Sequence, residues 1–271
     1  MFKTLSNAWR IKEIRSKMIF TILMIVVYRL GNIIPIPFMD KNVVNKLMSS
    51  NAGGLVNLLD LLAGGSLKQM SVFALSIYPY ITASIVVQLL TIAFPRLGEI
   101  ARDGEMGKKK VAKYTKIGAV VLGIFEAMAI ANGLFAKAIV AKGYIQSALI
   151  ITSLLAGSMF LVWLGEIITE KGIGNGISII IFLGIVSNLP TQIGTFIYGI
   201  MTGTVGILTI IGIVLAAVLI VVIVVLINEG ERKITVQYAK KVVGRKMYGG
   251  QATHIPVKVN MSGVMPVIFA S

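Results

Sequence analysis

The sequence predicts an all-α polytopic membrane protein, and three features of its composition support this fold class. The mean hydropathy of the 271 residues is +0.87, and 56% of them are hydrophobic. Only 14% are charged, whereas a soluble domain carries about 25% charged residues. Residues 205–227 form an apolar run without a charged side chain, which exceeds the ~18 residues that indicate a transmembrane helix. The composition therefore excludes a soluble, a disordered or a fibrous protein.

Long apolar runs predict six complete membrane spans and the beginning of a seventh. The six runs are residues 19–36, 72–94, 117–135, 145–168, 177–200 and 205–227. A last apolar stretch starts near Val259 and stops at Ser271, which covers about 20 Å of a hydrocarbon core that is about 30 Å thick. We therefore expect the chain to be cut inside the seventh span. We expect no cleavable signal peptide, because the first run is long and no small-residue cleavage site follows it.

The distribution of Lys and Arg predicts the orientation of these spans. Of the 26 Lys and Arg residues, 20 lie in the N-terminal segment and in every second connecting segment after it, whereas five lie in the other connections and Arg29 lies within the first run. Positive residues accumulate on the cytoplasmic side of a membrane protein. The N-terminus and the basic loops 95–116 and 228–260 are therefore expected in the cytoplasm.

The basic loops have two interpretations. They can serve orientation alone, or they can form a docking surface for an acidic partner or for RNA phosphates. Loop 228–260 is longer than a simple connection requires, and Ile234, Val236 and Tyr238 alternate with polar residues in a strand-like period. Four basic residues surround the Gly244 that follows: Lys240, Lys241, Arg245 and Lys246. The sequence predicts a folded, basic projection into the cytosol and leaves both interpretations open.

A short apolar segment, GGLVNLLDLLAGG at residues 53–65, lies between the first two runs. Four leucines at i, i+3, i+4 and i+7 share one helix face: Leu55, Leu58, Leu59 and Leu62. The glycine pairs at both ends favour turns, and the residues between them reach only about 13 Å. Asp60 would be costly against lipid unless water reaches it. We expect either a re-entrant helix in a water-filled funnel or an amphipathic helix on the outer surface.

Two isoleucine pairs repeat the same i, i+4 spacing. Ile81 and Ile85 lie in the second run, and Ile177 and Ile181 lie in the fifth. Aliphatic collars can close a pore by excluding water, but such pairs usually pack or contact lipid. Pro79, just before the first pair, is expected to bend the second span because it removes a backbone hydrogen bond. The spacing alone leaves the pore and packing interpretations open.

Glu126 and Asn175 are the other polar residues that the sequence singles out. Glu126 lies in the middle of the third run, where a carboxylate either faces water or protein with a function or is a protonated or hydrogen-bonded packing residue. Asn175 belongs to the motif GIGNGIS at residues 172–178. Asparagine is a preferred N-cap residue, so we expect Asn175 to cap the fifth span, with close backbone approach at the neighbouring glycines.

The sequence offers little for catalysis. It contains no Cys and a single His, His254, which excludes the common metal sites that use several such ligands. It also contains no nucleophile elbow and no HExxH motif. We therefore expect neither an enzyme nor a cofactor.

Three long stretches of the sequence are distinctive: ALSIYPYITASIVVQLL, EKGIGNGISIIIF and ERKITVQYAKKVVGRKMYGGQATHIPVKVNMSGVMP, in this order. Together they resemble the SecY family, which forms bacterial protein-conducting channels. SecY-like proteins are helical bundles of ten transmembrane helices in two inverted halves. The resemblance implies that residues 1–200 form the first half, with five transmembrane helices. It implies that residues 201–271 start the second half, with helix six, the basic loop 228–260 and the start of helix seven.

The resemblance also implies a function and a role for individual residues. The function is passage of unfolded secretory chains across the bacterial cytoplasmic membrane, with sideways release of apolar segments into lipid. The implied pore ring comprises Ile81, Ile85, Ile177, Ile181 and Ile268. The segment 54–65 resembles the plug, and Gln88 and Glu126 resemble residues of the lateral gate. Loops 95–116 and 228–260 resemble a docking surface. The best candidates for contact with a partner are Lys240, Lys241, Arg245 and Lys246. The implied partners are SecE, SecG, the motor ATPase SecA, the ribosome, unfolded preproteins and membrane lipid.

Two other functions remain as alternatives at this stage. The first is a secondary transporter for a small solute that uses Glu126, although such transporters usually contain more buried charge. The second is a scaffold that conducts nothing.

Overall fold

The computed structural model describes residues 9–51, 60, 63–140, 143–204, 206–236, 241–243, 246–248 and 253–258. The chain divides into two packed units, Met1–Gly194 and Thr195–Ser271. The described part of the chain is predominantly helical, so the prediction of a polytopic helical protein is confirmed. That the two units correspond to halves of an inverted repeat stays a prediction.

The residues of the first unit that the structure describes include seven named helices, the last of which extends beyond Gly194. These are α1 (Lys12–Gly31), α2 (Lys41–Asn51), α3 (Tyr78–Ala93), α4 (Pro95–Arg102), α5 (Gly104–Met128), α6 (Tyr144–Lys171) and α7 (Gly176–Met201). A π-helical turn, Ala129–Leu134, continues directly from α5 and is followed by a 3₁₀ turn, Ala136–Ala138.

Where the structure describes the second unit, it has one long helix after the end of α7 and two small antiparallel sheets. Helix α8 (Ile207–Glu229) is followed by the strands β1 (Glu231–Val236), β2 (Lys241–Val243), β3 (Lys246–Tyr248) and β4 (Thr253–Lys258). Strand β1 pairs with β4, which places Ile234 opposite Ile255, and β2 pairs with β3. The strand predicted from the alternation at Ile234 and Val236 is thereby confirmed, whereas Tyr238 lies outside the described residues.

Four described helices are long and apolar enough to cross a membrane, and a fifth span results if α3 and α4 count as one bent unit. The four are α5 with its π-helical extension, α6, α7 and α8. The chain bends by 107° between α3 and α4. The apolar side chains of α8 are exposed along its length, as expected of a helix that contacts lipid or further protein. Helix α1 carries Arg15, Lys17 and Arg29 and is not among the four.

The predicted second span, 72–94, is wrong at its start, because helix α3 begins only at Tyr78. The preceding residues instead pair with the segment after α1: the N–H of Ile36 donates to the carbonyl of Met70 at 2.9 Å, and the N–H of Val72 donates to Ile34 at 3.0 Å. Pro79 consequently lies in the first turn of α3, where its missing N–H has no helical acceptor to lose. It starts the helix and does not bend it.

The basic segment 95–116 is not a loop. Its residues form α4 and the first thirteen positions of α5, so the basic side chains are displayed on helices at fixed spacing. The first predicted span, 19–36, is also shifted, because α1 starts at Lys12 and ends at Gly31. The two prolines that follow, Pro35 and Pro37, cannot continue a helix.

Two buried clusters pack the first unit together. One joins the 67–75 segment to α5, its π-helical extension and α6 through residues such as Leu75, Phe135 and Leu154. The other joins α1, α6 and α7 around Tyr28, whose ring stacks on Phe73 at a centroid distance of 6.1 Å. Because lipid is as apolar as these side chains, close packing rather than water exclusion holds such helices together.

Candidate functional site

A cavity of about 210 Å³ lies where the segment before α3 meets α3, α5 and α7. Its lining is almost wholly apolar, with one carboxylate. The lining residues are Ala63, Leu67, Ala74, Leu75, Ser76, Tyr78, Ile81, Glu126, Ala129, Ile130 and Ile181. The cavity therefore brings together three residues that the sequence singled out separately, one on each of three helices.

The isoleucine pairs are divided between this cavity and the surrounding packing. Ile81 and Ile181, from α3 and α7, both line the cavity. Ile177 packs against α6, since a Cβ placed on Gly165 would lie 3.1 Å from its Cγ1 atom. Ile85 is half-buried one turn after Ile81, and neither Ile85 nor Ile177 is in the cavity lining. The predicted ring member Ile268 lies outside the described residues.

Glu126 connects two helices and faces the cavity. Its Oε1 atom accepts a hydrogen bond from the Oγ1 atom of Thr82 on α3 at 3.4 Å. Its Oε2 atom is buried and has no hydrogen-bond partner among the described residues. A buried polar atom without a partner is costly in protein or lipid, so this oxygen is suited to a water molecule or a polar group in the cavity. Gln88, the other predicted gate residue, is exposed on α3.

Of the predicted plug residues, the structure describes Asp60, whereas Leu55, Leu58, Leu59 and Leu62 lie outside the described residues. The Asp60 carboxylate accepts a hydrogen bond from the backbone N–H of Lys68 at 2.9 Å, and its carbonyl accepts one from Gly65 at 2.9 Å. Burial raises the pKa of the Asp60 carboxyl, and the N–H and the positive charge of Lys68 oppose this rise. Asp60 is thus tied to the turn that leads towards the cavity wall.

The connection between α6 and α7 fixes the start of the helix that carries Ile181. The Asn175 side chain accepts hydrogen bonds from the N–H groups of Ile177 at 3.0 Å and Ser178 at 3.3 Å, so its prediction as an N-cap is confirmed. A Cβ on Gly176 would overlap the carbonyl oxygen of Gly165. The close backbone approach expected for the glycines of this motif is therefore present between α6 and α7.

The basic side chains of α4 and early α5 form an exposed surface. Its members are Arg96, Arg102, Lys108, Lys109, Lys110, Lys113 and Lys116. Lys116 also pairs with Glu166 of α6 at 2.7 Å. Two of the predicted docking residues, Lys241 and Lys246, begin strands β2 and β3, and the other two, Lys240 and Arg245, lie outside the described residues.

Most of the cavity wall that precedes α3 was not predicted from the sequence, namely Leu67, Ala74, Leu75 and Ser76. Ala63 belongs to the predicted plug segment 54–65. Ala63 and Leu67 are buried there, and Ser76 adopts a left-handed backbone conformation with φ of 50°. A non-glycine residue with positive φ is uncommon and marks a position held by its surroundings. The glycine pair Gly64–Gly65 was a signal for a turn at this place, but hydropathy assigned the residues after it to a span.

The fold and the cavity define a class of protein: a polytopic helical membrane protein with an apolar cavity lined by three of its helices. Similarity to known proteins then gives the family. Residues 71–271 match the SecY family. The chain is 43% identical over 264 residues to the protein translocase subunit SecY of Escherichia coli strain K12, a match that covers 96% of this chain and 60% of the relative. The chain belongs to the SecY family.

Solved structures show the same fold at lower identity. The structure described as "The structure of a protein conducting channel" matches with a TM-score of 0.67 and 20% identity over 94% of this chain and 55% of the other. "Sec61 in the Canine ribosome-channel complex from the endoplasmic reticulum" matches with a TM-score of 0.59 and 20% identity over 87% of this chain and 53% of the other. The chain spans about 60% of the length of the Escherichia coli relative.

Proposed function

We propose that the intact protein is the pore-forming subunit of a protein-conducting channel. It passes unfolded secretory chains across the bacterial cytoplasmic membrane and releases apolar segments sideways into the lipid. The observation that carries this proposal is the apolar cavity, which is lined by both Ile81 of α3 and Ile181 of α7. Membership of the SecY family, whose relatives are translocase subunits, supports it.

The apolar side chains in the cavity suit a channel that must stay closed to ions and open to polypeptide. An aliphatic constriction excludes water when no chain occupies it, and it provides no fixed site at which an ion could shed its hydration shell. Because Ile81 and Ile181 are apolar and uncharged, they offer an arriving chain no hydrogen bond or ion pair and therefore do not bind one particular sequence. Ile85 and Ile177, which lie outside the cavity lining, and Ile268 stay predicted members of the ring.

Lateral release requires a wall that can part, and α3 with α5 is the proposed wall. Thr82 and Glu126 join these two helices next to the cavity, and Gln88 is exposed on the same helix as Thr82. An apolar segment of about 20 residues gains free energy on entering the hydrocarbon core. Such a segment leaves through the gate, whereas a polar segment continues across the membrane. The segment 54–65, with Asp60, is the proposed plug on the outer side.

The proposed partners follow from charge and from the relatives. The N-terminus and the basic surface of α4 and early α5 lie in the cytoplasm in this proposal, because positive residues mark that side. The surface, together with Lys240, Lys241, Arg245 and Lys246, binds the ribosome or the motor ATPase SecA through phosphates or acidic side chains. The ribosome complex of the structurally similar canine Sec61 supports this assignment. SecE and SecG are the proposed partner subunits.

Protection of a secretory precursor from protease tests this function. Inverted membrane vesicles from cells that produce the intact protein are given an unfolded precursor with its signal segment, together with SecA and ATP. We expect the precursor to become protected from external protease, and the same precursor without its signal segment to stay accessible. Vesicles without the protein provide the baseline. Saturable uptake of a small solute that depends on Glu126, with no protection of the precursor, would instead identify a transporter.

A further inference from the structure

The turn at Gly64–Gly65 packs against helix α7. The Oγ atom of Ser187 lies 3.1 Å from the carbonyl oxygen of Gly64 and 2.7 Å from the carbonyl oxygen of Gly184 on its own helix. Its hydroxyl proton is therefore shared between a contact within α7 and a contact to a segment 123 residues earlier in the sequence. Polar groups in a membrane interior prefer such protein partners to lipid.

The contact between the turn and α7 requires glycine in the turn. Gly64 and Gly65 have φ values of 70° and 80°, which other residues rarely adopt. A Cβ on Gly64 would lie 2.9 Å from the Cα atom of Gly184, closer than such atoms approach each other. Backbone therefore rests directly on backbone at this point, and the Ser187 hydroxyl supplies a directional bond beside it.

The residues on either side of this turn form part of the cavity wall. Ala63 and Leu67, on either side of the turn, are buried and line the cavity that Ile81 and Ile181 enter. Ser187 follows Ile181 on α7 by six residues, about 9 Å along the helix axis. Helix α7 thus contributes Ile181 to the cavity directly, and it also holds the wall formed by Ala63 and Leu67 through the turn.

We propose that Ser187 is a positioning residue of the closed channel: it anchors the Gly64–Gly65 turn on α7 and thereby keeps Ala63 and Leu67 against the isoleucine constriction. This proposal rests on the proposed channel function. It assigns to the middle of α7 a role in sealing that is separate from the pore ring, since Ser187 does not line the cavity. Movement of α7 would displace Ile181 and the wall formed by Ala63 and Leu67 together.

The variant Ser187→Ala tests the anchor, because it removes the hydroxyl and little else. Residues 1–271 contain no Cys, so Ala63→Cys, with any Cys in the rest of the intact protein replaced by Ser, provides a unique reporter whose modification by a water-soluble maleimide measures exposure of the wall. In membrane vesicles with the intact protein, we expect Ser187→Ala to raise both reporter modification and resting ion leak about fivefold, the effect of losing one hydrogen bond of ordinary net strength. Ser187→Thr, which keeps the hydroxyl, should restore both values.

The matched control is Ser153→Ala on α6, since Ser153 is also half-buried and its hydroxyl donates to Leu149 of its own helix. We expect this control to change neither measurement. The double variant Ile81→Gly with Ile181→Gly separates the anchor from the channel function. If it leaks and Ser187→Ala changes neither reporter modification nor leak, the anchor is overturned and the channel function stands. If Ser187→Ala exposes the reporter but no variant leaks, the anchor is supported and the channel function fails.

Discussion

Ile81 and Ile181 lie far apart in the sequence and line the same cavity. This shared position favours the pore interpretation of the i, i+4 pattern for these two residues. The spacing predicted which residues share a helix face, but not what that face contacts. Ile177 shows the limit, because it shares a face with Ile181 and yet packs against Gly165 of α6. Only the path of the neighbouring helices decides between the two environments, and periodicity within one helix contains no information about that path.

Replacement of Ile81 and Ile181 by glycine is expected to raise the resting ion conductance of the intact protein in planar bilayers about tenfold. The loss of two apolar side chains lowers the free-energy cost of wetting the constriction by at least ~1.4 kcal/mol. The matched control is Val86→Gly with Ile185→Gly, which has the same helix-propensity cost on the same two helices but removes exposed side chains. Equal conductance for the wild type and the double variant at Ile81 and Ile181 would refute the constriction.

Glu126 could be recognised from the sequence as a charge in an apolar run, but its partner could not. Thr82, whose hydroxyl lies 3.4 Å from the carboxylate, is one of many hydroxyl residues in the spans. Hydroxyl side chains usually donate to a carbonyl of their own helix, as the Thr82 hydroxyl also does to the carbonyl oxygen of Pro79 at 3.0 Å. The pairing of α3 with α5 therefore had to come from the structure.

The helices themselves were predicted well where an apolar run forms one uninterrupted helix. The ends of α6, α7 and α8 lie within three residues of the predicted spans. The prediction failed at the start of α3, because the residues before it are equally apolar but pair with the segment after α1. Hydropathy measures the environment of a segment and not its backbone conformation, so a buried apolar turn and a buried apolar helix look the same.

Gly176→Ala is expected to destabilise the packing of α6 against α7. The added Cβ would overlap the carbonyl oxygen of Gly165, and overpacking of this kind costs about 1–3 kcal/mol. Gly194→Ala, the same substitution on the same helix, meets no atom within 4 Å and should stabilise the protein by about 0.4–1 kcal/mol. Thermal unfolding in detergent measures both variants. A melting temperature for Gly176→Ala as high as that for Gly194→Ala would contradict the close approach.

At the scale of the whole molecule, charge and hydropathy predicted a membrane protein with one strongly basic side. They did not predict that the basic segment 95–116 is helical, because apolar periodicity is weak in a segment rich in lysine. The difference matters for docking. Side chains on a helix keep fixed distances from one another, so a partner can match several of them at once, whereas a mobile loop would first lose conformational entropy.

Neutralisation of Lys108, Lys109 and Lys110 by glutamine is expected to weaken ribosome binding to inverted vesicles about tenfold. Each lost phosphate contact also lowers the slope of log affinity against log salt by about 0.7–0.9. The matched control carries the same loss of three charges at Lys41, Lys68 and Lys137, which the predicted orientation places on the opposite side of the membrane. Co-sedimentation with ribosomes between low and high salt measures both triple variants. Equal weakening by the two would show that net charge alone governs binding. Weakening by the control alone would reverse the orientation, because the side that carries Lys41, Lys68 and Lys137 would then be the one facing the ribosome.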